Sequence, residues 1–174
     1  NPVEQEGTFP LPEAQVDRFI VKSTMGYPDP AEERTLLRRR TERSAKTPGI
    51  EQVLDPDRVR AVQAVPERVT VTDDLISYMT DVAQQTRSAS RVRVGVSPRG
   101  TQRLLEAGRA RAVLEGREYV TPNDVKSMAP AVLAHRLVLT PDATVENVDK
   151  RAVLASVLES VPVPTVSELD APSR

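Results

Sequence analysis

The clearest helix start in this chain lies in residues 95–100, with the sequence GVSPRG. Ser97 is a preferred helix N-cap, and Pro98 suits the first helical position because the N–H that proline lacks has no partner there. Arg99 then brings a positive charge into the first turn, where the helix dipole favours anions and a cation costs about 0.3–1 kcal/mol. A bound phosphate would reverse that effect. The stretch therefore predicts a helix and a candidate phosphate contact at Arg99.

A capping residue followed by proline recurs along the chain and predicts a fold made mainly of helices. It occurs at Asp29-Pro30, Asp55-Pro56 and Thr121-Pro122 as well as at Ser97-Pro98. Two further helix starts are predicted near Thr72 and near Val145. Apolar residues follow at the spacing of a buried helix face, which predicts a core of Leu75, Ile76, Met79, Val82, Ala83, Leu104, Ala107, Gly108, Ala112, Leu114, Val125, Met128, Ala129, Val132, Leu133, Ala152, Val153, Ser156, Val157 and Val161.

The composition narrows the kinds of site that the chain can hold. Hydrophobic residues make up 39% of it but aromatic residues only 3%, which suits packed helices with an aliphatic core. The absence of cysteine excludes disulfides and thiolate chemistry and fits a reducing compartment, so a cytoplasmic location is predicted. His135 is the single histidine, which argues against a zinc or Ser-His-Asp site and predicts a structural role. No metal site and no membrane span are expected.

The first 28 residues differ from the rest. Residues 19–25 begin with an apolar triplet, FIV, which is typical of a strand buried in a parallel sheet, and residues 26–28 then end it. No partner strands follow, so the sheet is expected to lie before Asn1 in a longer protein. A strand without its sheet would expose an edge, which predicts self-association or disorder of residues 1–28. Residues 165–174 are expected to form a flexible tail.

A basic stretch runs from Arg87 to Arg117 and holds eight arginines against Glu106 and Glu115. One interpretation is a set of solvated helix faces, and the other is a nucleic-acid surface. The net charge of −1 and the scarcity of aromatic residues weaken the second interpretation. No nucleic-acid partner is therefore predicted.

Two sets of motifs resemble the MoxR family of AAA+ ATPases. Residues 5–19, QEGTFPLPEAQVDRF, are similar to the segment that follows the family's sensor 1 asparagine, with Phe9 and Val16 as departures. Residues 95–100, 116–125 and 132–136 look like the family's lid. The resemblance covers nearly the whole chain. It implies a mainly α fold, in which an all-helical AAA+ lid at 29–164 follows a remnant of the α/β nucleotide-binding core at 1–28.

The resemblance also implies roles for three residues. Asn1 matches sensor 1, which helps to orient the attacking water, and Arg18 matches the arginine finger that acts on a neighbouring subunit's nucleotide. Arg99 matches sensor 2, which contacts the phosphates of its own subunit. The alternative for Arg18 is a structural role, in an ion pair with Glu13 or Asp17. Arg103 lies one helical turn after Arg99 and is a candidate to assist it.

The function that the resemblance implies is ATP hydrolysis with Mg²⁺ by a homo-oligomeric ring. Such a ring would act in a chaperone-like way on a client protein, for which a partner of the von Willebrand factor A type is a candidate. The 174 residues contain no Gly-x-x-x-x-Gly-Lys-Ser/Thr loop, so on their own they are expected to be inactive. The alternative, from another class, is a free-standing helical protein-interaction module that uses no nucleotide.

Overall fold

The computed structural model describes residues 11–43 and 50–164, and these form two compact units. One unit contains residues 11–22 together with 65–164, and the other contains residues from 23 to 64. Asn1, the rest of segment 1–10 and the tail 165–174 lie outside the described residues. The predicted boundary between residues 28 and 29 stays a prediction.

The smaller unit holds helices α2 (Pro30–Thr41) and α3 (Pro56–Ala64). The Asp29 carboxylate accepts hydrogen bonds from the backbone N–H groups of Ala31 and Glu32, both at 2.8 Å. The Glu32 carboxylate in turn accepts from the Asp29 N–H at 2.9 Å, which completes a capping box. Both helices begin where the cap-plus-proline pattern predicts.

The larger unit carries the remaining elements. It begins with the short helix α1 (Glu13–Val16) and continues through a 3₁₀ turn at Val65–Arg68. The elements that follow are α4 (Asp73–Ser88), β1 (Val92–Val94), α5 (Pro98–Leu114), α6 (Pro122–Leu133), a 3₁₀ turn at Ala134–Arg136, β2 (Val138–Leu139), α7 (Pro141–Val145) and α8 (Lys150–Ser160). The mainly α fold is confirmed. The expectation of an all-helical lid needs one correction, because β1 and β2 pair as a two-stranded antiparallel sheet.

The core lies between α4, α5, α6 and α8, and α5 packs most extensively against α6. Its fully buried aliphatic members include Leu75, Val82, Leu104, Val125, Val132, Leu133, Leu137 and Leu154. The predicted burial is wrong for Ile76 in α4, which is 47% exposed, and for Leu114 in α5, which is 81% exposed. In α8 the buried face is rotated from the predicted one: Leu154 and Leu158 are buried where Ala152 and Ser156 were expected.

Two predictions of secondary structure are wrong. Residues 19–25 form no strand, because the N–H of Lys22 donates to the Ala131 carbonyl of α6 at 2.9 Å instead of to a sheet. The unpaired strand from which self-association was inferred is therefore not present there. The helix start placed near Val145 is also wrong: α7 ends at that residue, and α8 begins after its N-cap Asp149. The pair Thr140-Pro141, a further cap followed by proline, starts α7.

The turn between α5 and α6 is closed by a charged pair. Arg117 donates to both oxygens of the Asp124 carboxylate, at 2.6 and 2.7 Å, and the Asp124 side chain is 3% exposed. The same carboxylate accepts from the N–H and the hydroxyl of Thr121 at 2.8 and 2.7 Å. Burial by itself would raise the pKa of Asp124, but the hydrogen bonds from Arg117 and Thr121 outweigh it and the pKa is lowered.

Because its pKa is lowered in the folded state, Asp124 stabilises the fold in its ionised form. That contribution is present above the unfolded-state pKa of about 3.9 and is lost as the pH falls below it towards the folded-state value. We expect Asp124→Asn to lower the free energy of unfolding by about 1–3 kcal/mol at pH 7, and the difference from wild type to shrink on acidification. Denaturant unfolding at pH 7 and near pH 3 measures this. Asp81→Asn, at an exposed position of α4, is the control; a gap that stays constant with pH would contradict the prediction.

Candidate functional site

The start of α5 is anchored to α4 by the residues that precede it. The N–H of Val96 donates to the Thr86 hydroxyl at 2.9 Å, and Arg87 Nε donates to the Val96 carbonyl at 2.8 Å. A Cβ at Gly95 would lie 2.7 Å from the backbone of Arg87, so only glycine permits this approach. The first turn of α5 is thereby held in a defined position.

Ser97 joins the start of α5 to a distant segment. Its Oγ accepts the N–H of Gly100 at 3.2 Å, which confirms the predicted N-cap. The same hydroxyl lies 3.1 Å from Asp17 Oδ2 and donates its proton to that carboxylate. Asp17, just after α1, is therefore tied directly to the residue that caps α5.

Arg136 is a buried residue that also binds Asp17. Its side chain is 1% exposed, and its Nε donates to Asp17 Oδ1 at 3.0 Å. Nη2 donates to the carbonyls of Asp17 and Phe19 at 3.0 and 2.6 Å, and Nη1 donates to the carbonyls of Ile20 and Val132. These contacts lay the segment from Asp17 to Ile20 against the end of α6.

Gly100 makes room for the arginine. A Cβ at this position would lie 2.9 Å from Arg136 Cδ and 2.7 Å from Val96 Cγ1, so the glycine of the GVSPRG stretch leaves the space that Arg136 occupies. Burial lowers the pKa of Arg136, the charge of Asp17 opposes this, and the charges of Arg103 and Arg99 act in the same direction as burial. The charges of Arg99 and Arg103 thus act on Arg136, whose charge is balanced by Asp17.

Arg18 stands in the middle of the held segment. Its N–H donates to the Gln15 carbonyl at 3.1 Å, and Arg136 binds the carbonyls on either side of it. Its side chain is exposed and has no partner among the described residues. The two carboxylates that could have formed an ion pair with Arg18 have other partners. Asp17 pairs with Arg136, and Glu13 pairs with Arg93 at 3.5 Å.

Arg99 is likewise exposed and has no side-chain partner within the described residues. Arg103, the candidate helper, is engaged with Glu106 on its own helix at 2.5 Å. A first-turn arginine alone does not single out Arg99, since Arg151 occupies the corresponding second position of α8. What distinguishes Arg99 is its surroundings, where Arg103 and Arg136 add positive charge and Ser97 connects to the segment of Arg18.

Most of the basic stretch is neutralised within the fold. Carboxylates pair with its arginines as Arg93 with Glu13, Arg103 with Glu106, Arg109 with Glu67, Arg111 with Glu115 and Arg117 with Asp124. Arg87 binds a carbonyl, as described above. Within residues 11–43 and 50–164, Arg91 and Arg99 are the arginines of this stretch whose side chains lack a hydrogen bond or ion pair. The solvated-face interpretation therefore covers most of the stretch, and Arg99 differs from Arg91 in its position in the first turn of α5.

His135 is a structural neighbour of this site. Arg136 Nη1, which can only donate, lies 2.8 Å from His135 Nε2, so the contact is favourable when Nε2 carries no proton. Burial lowers the pKa of His135, and the charge of Arg136 lowers it further. The lowered pKa favours the neutral ring near pH 7, and the same Nε2 also lies 3.3 Å from the Phe19 carbonyl. The structural role of His135 stays a prediction.

Comparison with known proteins gives the family. A model of the AAA lid domain matches residues 84–157. The chain is 37% identical to Chaperone MoxR1 of Mycobacterium tuberculosis, over 96% of its own length and 46% of that protein. A crystal structure of a candidate ATPase from Cytophaga hutchinsonii superposes with a TM-score of 0.86 at 32% identity, covering 95% of this chain and 52% of that one. The chain belongs to the MoxR family of AAA+ proteins.

The chain is also 40% identical to the uncharacterized protein YeaC of Bacillus subtilis, over 94% of the chain and 51% of that protein. The chain thus spans about half the length of the curated relatives it matches. Among the described residues of this MoxR-family chain, no helix has the length and apolar character needed to cross a membrane.

The link between Asp17, Ser97 and Arg136 was not predicted from the sequence. Asp17 and Arg136 both lie in the motifs that carry the family resemblance, yet 119 positions separate them and no periodicity relates them. A signal was available in Gly100, because a glycine in the first turn of a helix disfavours helix formation and calls for a reason in packing.

Proposed function

We propose that this chain is the lid-bearing part of a MoxR-type ring that hydrolyses ATP, and that it contributes Arg18 and Arg99 to the reaction. One observation supports this above all. Two exposed arginines, each without a partner in the described part of the chain, stand on backbone segments that Asp17 and Ser97 join to each other.

The chemistry of the guanidinium group suits these roles. It stays protonated at physiological pH and presents paired donors that match phosphate oxygens. Arg18 would act on the nucleotide of a neighbouring subunit, where charge develops on the transferred phosphoryl group. Arg99 would contact the nucleotide of its own subunit. ATP and Mg²⁺ need a phosphate-binding loop and an acidic magnesium site, and the sequence contains no such loop. These 174 residues alone are therefore expected not to turn over ATP.

The biological role is proposed from the relatives. The Mycobacterium tuberculosis protein is named a chaperone, and by analogy this chain would serve a ring that remodels a client protein. The ring itself, a client of the von Willebrand factor A type and the cytoplasmic location stay predictions. Asn1, proposed as sensor 1, also stays a prediction because it lies outside the described residues.

Arg99 offers a test with an internal control. In a full-length protein that includes this chain, we expect Arg99→Ala to raise the KM for ATP by roughly 10- to 150-fold, which corresponds to the loss of about 1.5–3 kcal/mol of charged hydrogen bonding. Arg151→Ala removes an exposed arginine from the matching position of α8 and should change KM less than about twofold. Steady-state phosphate release over a range of ATP concentrations measures both.

Equal effects of the two substitutions would reject a phosphate contact at Arg99. If the full-length protein hydrolyses no ATP and binds none, the interaction-module interpretation takes precedence. That outcome would leave the fold and the family unaffected.

A further inference from the structure

We propose that Arg136 and Ser97 are positioning residues for Arg18, and that through Asp17 they couple the segment of Arg18 to the helix start of Arg99. The inference rests on the proposed function. It adds a route by which the nucleotide state of a subunit would reach the arginine that the same subunit offers to its neighbour.

The first step is that Arg136 holds the backbone on both sides of Arg18. Its Nη2 donates to the Asp17 carbonyl at 3.0 Å and to the Phe19 carbonyl at 2.6 Å. A side chain whose preceding and following residues are both bound through their carbonyls to one guanidinium has few directions left in which to leave the protein. Arg18 is therefore presented from a fixed base.

The second step is that Arg136 cannot be a phosphate ligand itself. Its side chain is 1% exposed, and each of its three nitrogens already donates to a protein acceptor. Its positive charge is balanced by the Asp17 carboxylate, which accepts a hydrogen bond from Nε. The residue acts through its neighbours and not on the nucleotide.

The third step is that the Ser97 hydroxyl makes hydrogen bonds to two separate segments, the start of α5 and Asp17. It accepts the Gly100 N–H as the cap of α5 and donates to Asp17 at 3.1 Å. Arg99 follows Ser97 by two residues in the first turn of α5. A shift of that turn when Arg99 binds phosphate would move Ser97, then Asp17, and then the carbonyls that flank Arg18.

The test is a double-mutant cycle in the full-length protein. We expect Ser97→Ala and Arg136→Lys each to lower kcat about 10- to 100-fold, with the KM for ATP changed less than about twofold. In an Arg18→Ala background both substitutions should have no further effect, because the residue they position is gone. Thr72→Ala removes the N-cap of α4, which has no contact with Asp17, and should leave kcat unchanged.

A second measurement needs no turnover. Hydrogen exchange of the amides of Arg18, Phe19 and Lys22 reports how firmly the segment is held, since these amides donate to Gln15, Val16 and Ala131. We expect Ser97→Ala to speed their exchange by about tenfold or more and Thr72→Ala to leave it unchanged. If Arg136→Lys does not fold, Ser97→Ala is the test variant for both the double-mutant cycle and the amide exchange.

The possible outcomes separate the two proposals. If Arg18→Ala lowers kcat but Ser97→Ala and Arg136→Lys do not, the inference is wrong and the proposed function stands. Equal losses in the wild-type and Arg18→Ala backgrounds, or unchanged amide exchange, would also overturn the inference. If Arg18→Ala leaves kcat unchanged, the arginine-finger role fails and the positioning role fails with it.

Discussion

In a full-length protein that includes this chain, Arg18→Ala is expected to lower kcat for ATP hydrolysis by about 10³- to 10⁵-fold, with little change in KM. The reason is that an arginine finger meets charge that develops only in the transition state, so its loss spares ground-state binding. Phosphate release measured with radiolabelled ATP over hours resolves a loss of this size. Arg93→Ala removes an exposed arginine that already has Glu13 as its partner and is the matched control.

Mixing two impaired variants, at an ATP concentration well below the KM expected for Arg99→Ala, tests whether Arg18 acts between subunits. A subunit with Arg18→Ala keeps Arg99, and a subunit with Arg99→Ala keeps Arg18. If Arg18 reaches the neighbouring nucleotide, mixed rings contain some interfaces with both arginines intact and activity partly returns. Activity that stays at the level of the separate variants would show that both residues serve the same subunit, and Arg18 would then not be a finger in trans.

Arg136→Ala is expected to lower the free energy of unfolding of the chain by about 3–5 kcal/mol. The substitution removes an almost fully buried guanidinium, it leaves the carbonyls of Asp17 and Phe19 without this donor, and it leaves the Asp17 carboxylate with only the Ser97 hydroxyl as a side-chain donor among the described residues. Unsatisfied groups of this kind cost more than the net value of the hydrogen bonds themselves. Chemical denaturation followed by circular dichroism measures the effect.

Arg111→Ala provides the comparison for that prediction. Arg111 pairs with Glu115 at 2.6 Å on the surface of α5, where both side chains are nearly half exposed. A pair of this kind contributes about 0–1 kcal/mol. If the two substitutions destabilised the chain equally, Arg136 would be an ordinary ion-pair member and not the centre of the site's support.

The helix starts show how much local sequence can predict. Proline after a capping residue marks α2, α3, α5 and α6 correctly, because cap and φ preference act within one turn. The same local rule applies to Thr140-Pro141, where α7 begins, although that pair was not among the predicted helix starts. The predicted core was mostly right in α4 and α6, and it was wrong at Leu114, the last residue of α5, which is 81% exposed.

The strand predicted at residues 19–25 fails for the opposite reason. An apolar triplet is compatible with a buried strand, but the backbone there finds its partners on Arg136 and Ala131, far away in the chain. Local pattern cannot distinguish these two ways of satisfying the same peptide groups. The candidate site shows the same division, since the sequence named Arg18 and Arg99 but not the residues that support them.

The mainly helical class, the position of most helix starts, the family resemblance and the candidate residues Arg18 and Arg99 could all be predicted from the residues alone. These follow from interactions within a few residues or from motifs that stand intact in the chain. The tertiary structure alone decided that Asp17 meets Ser97 and Arg136 across 80 and 119 positions. A contact at that separation depends on where α5 and α6 pack, because packing of the whole unit, and no local preference, brings those side chains together.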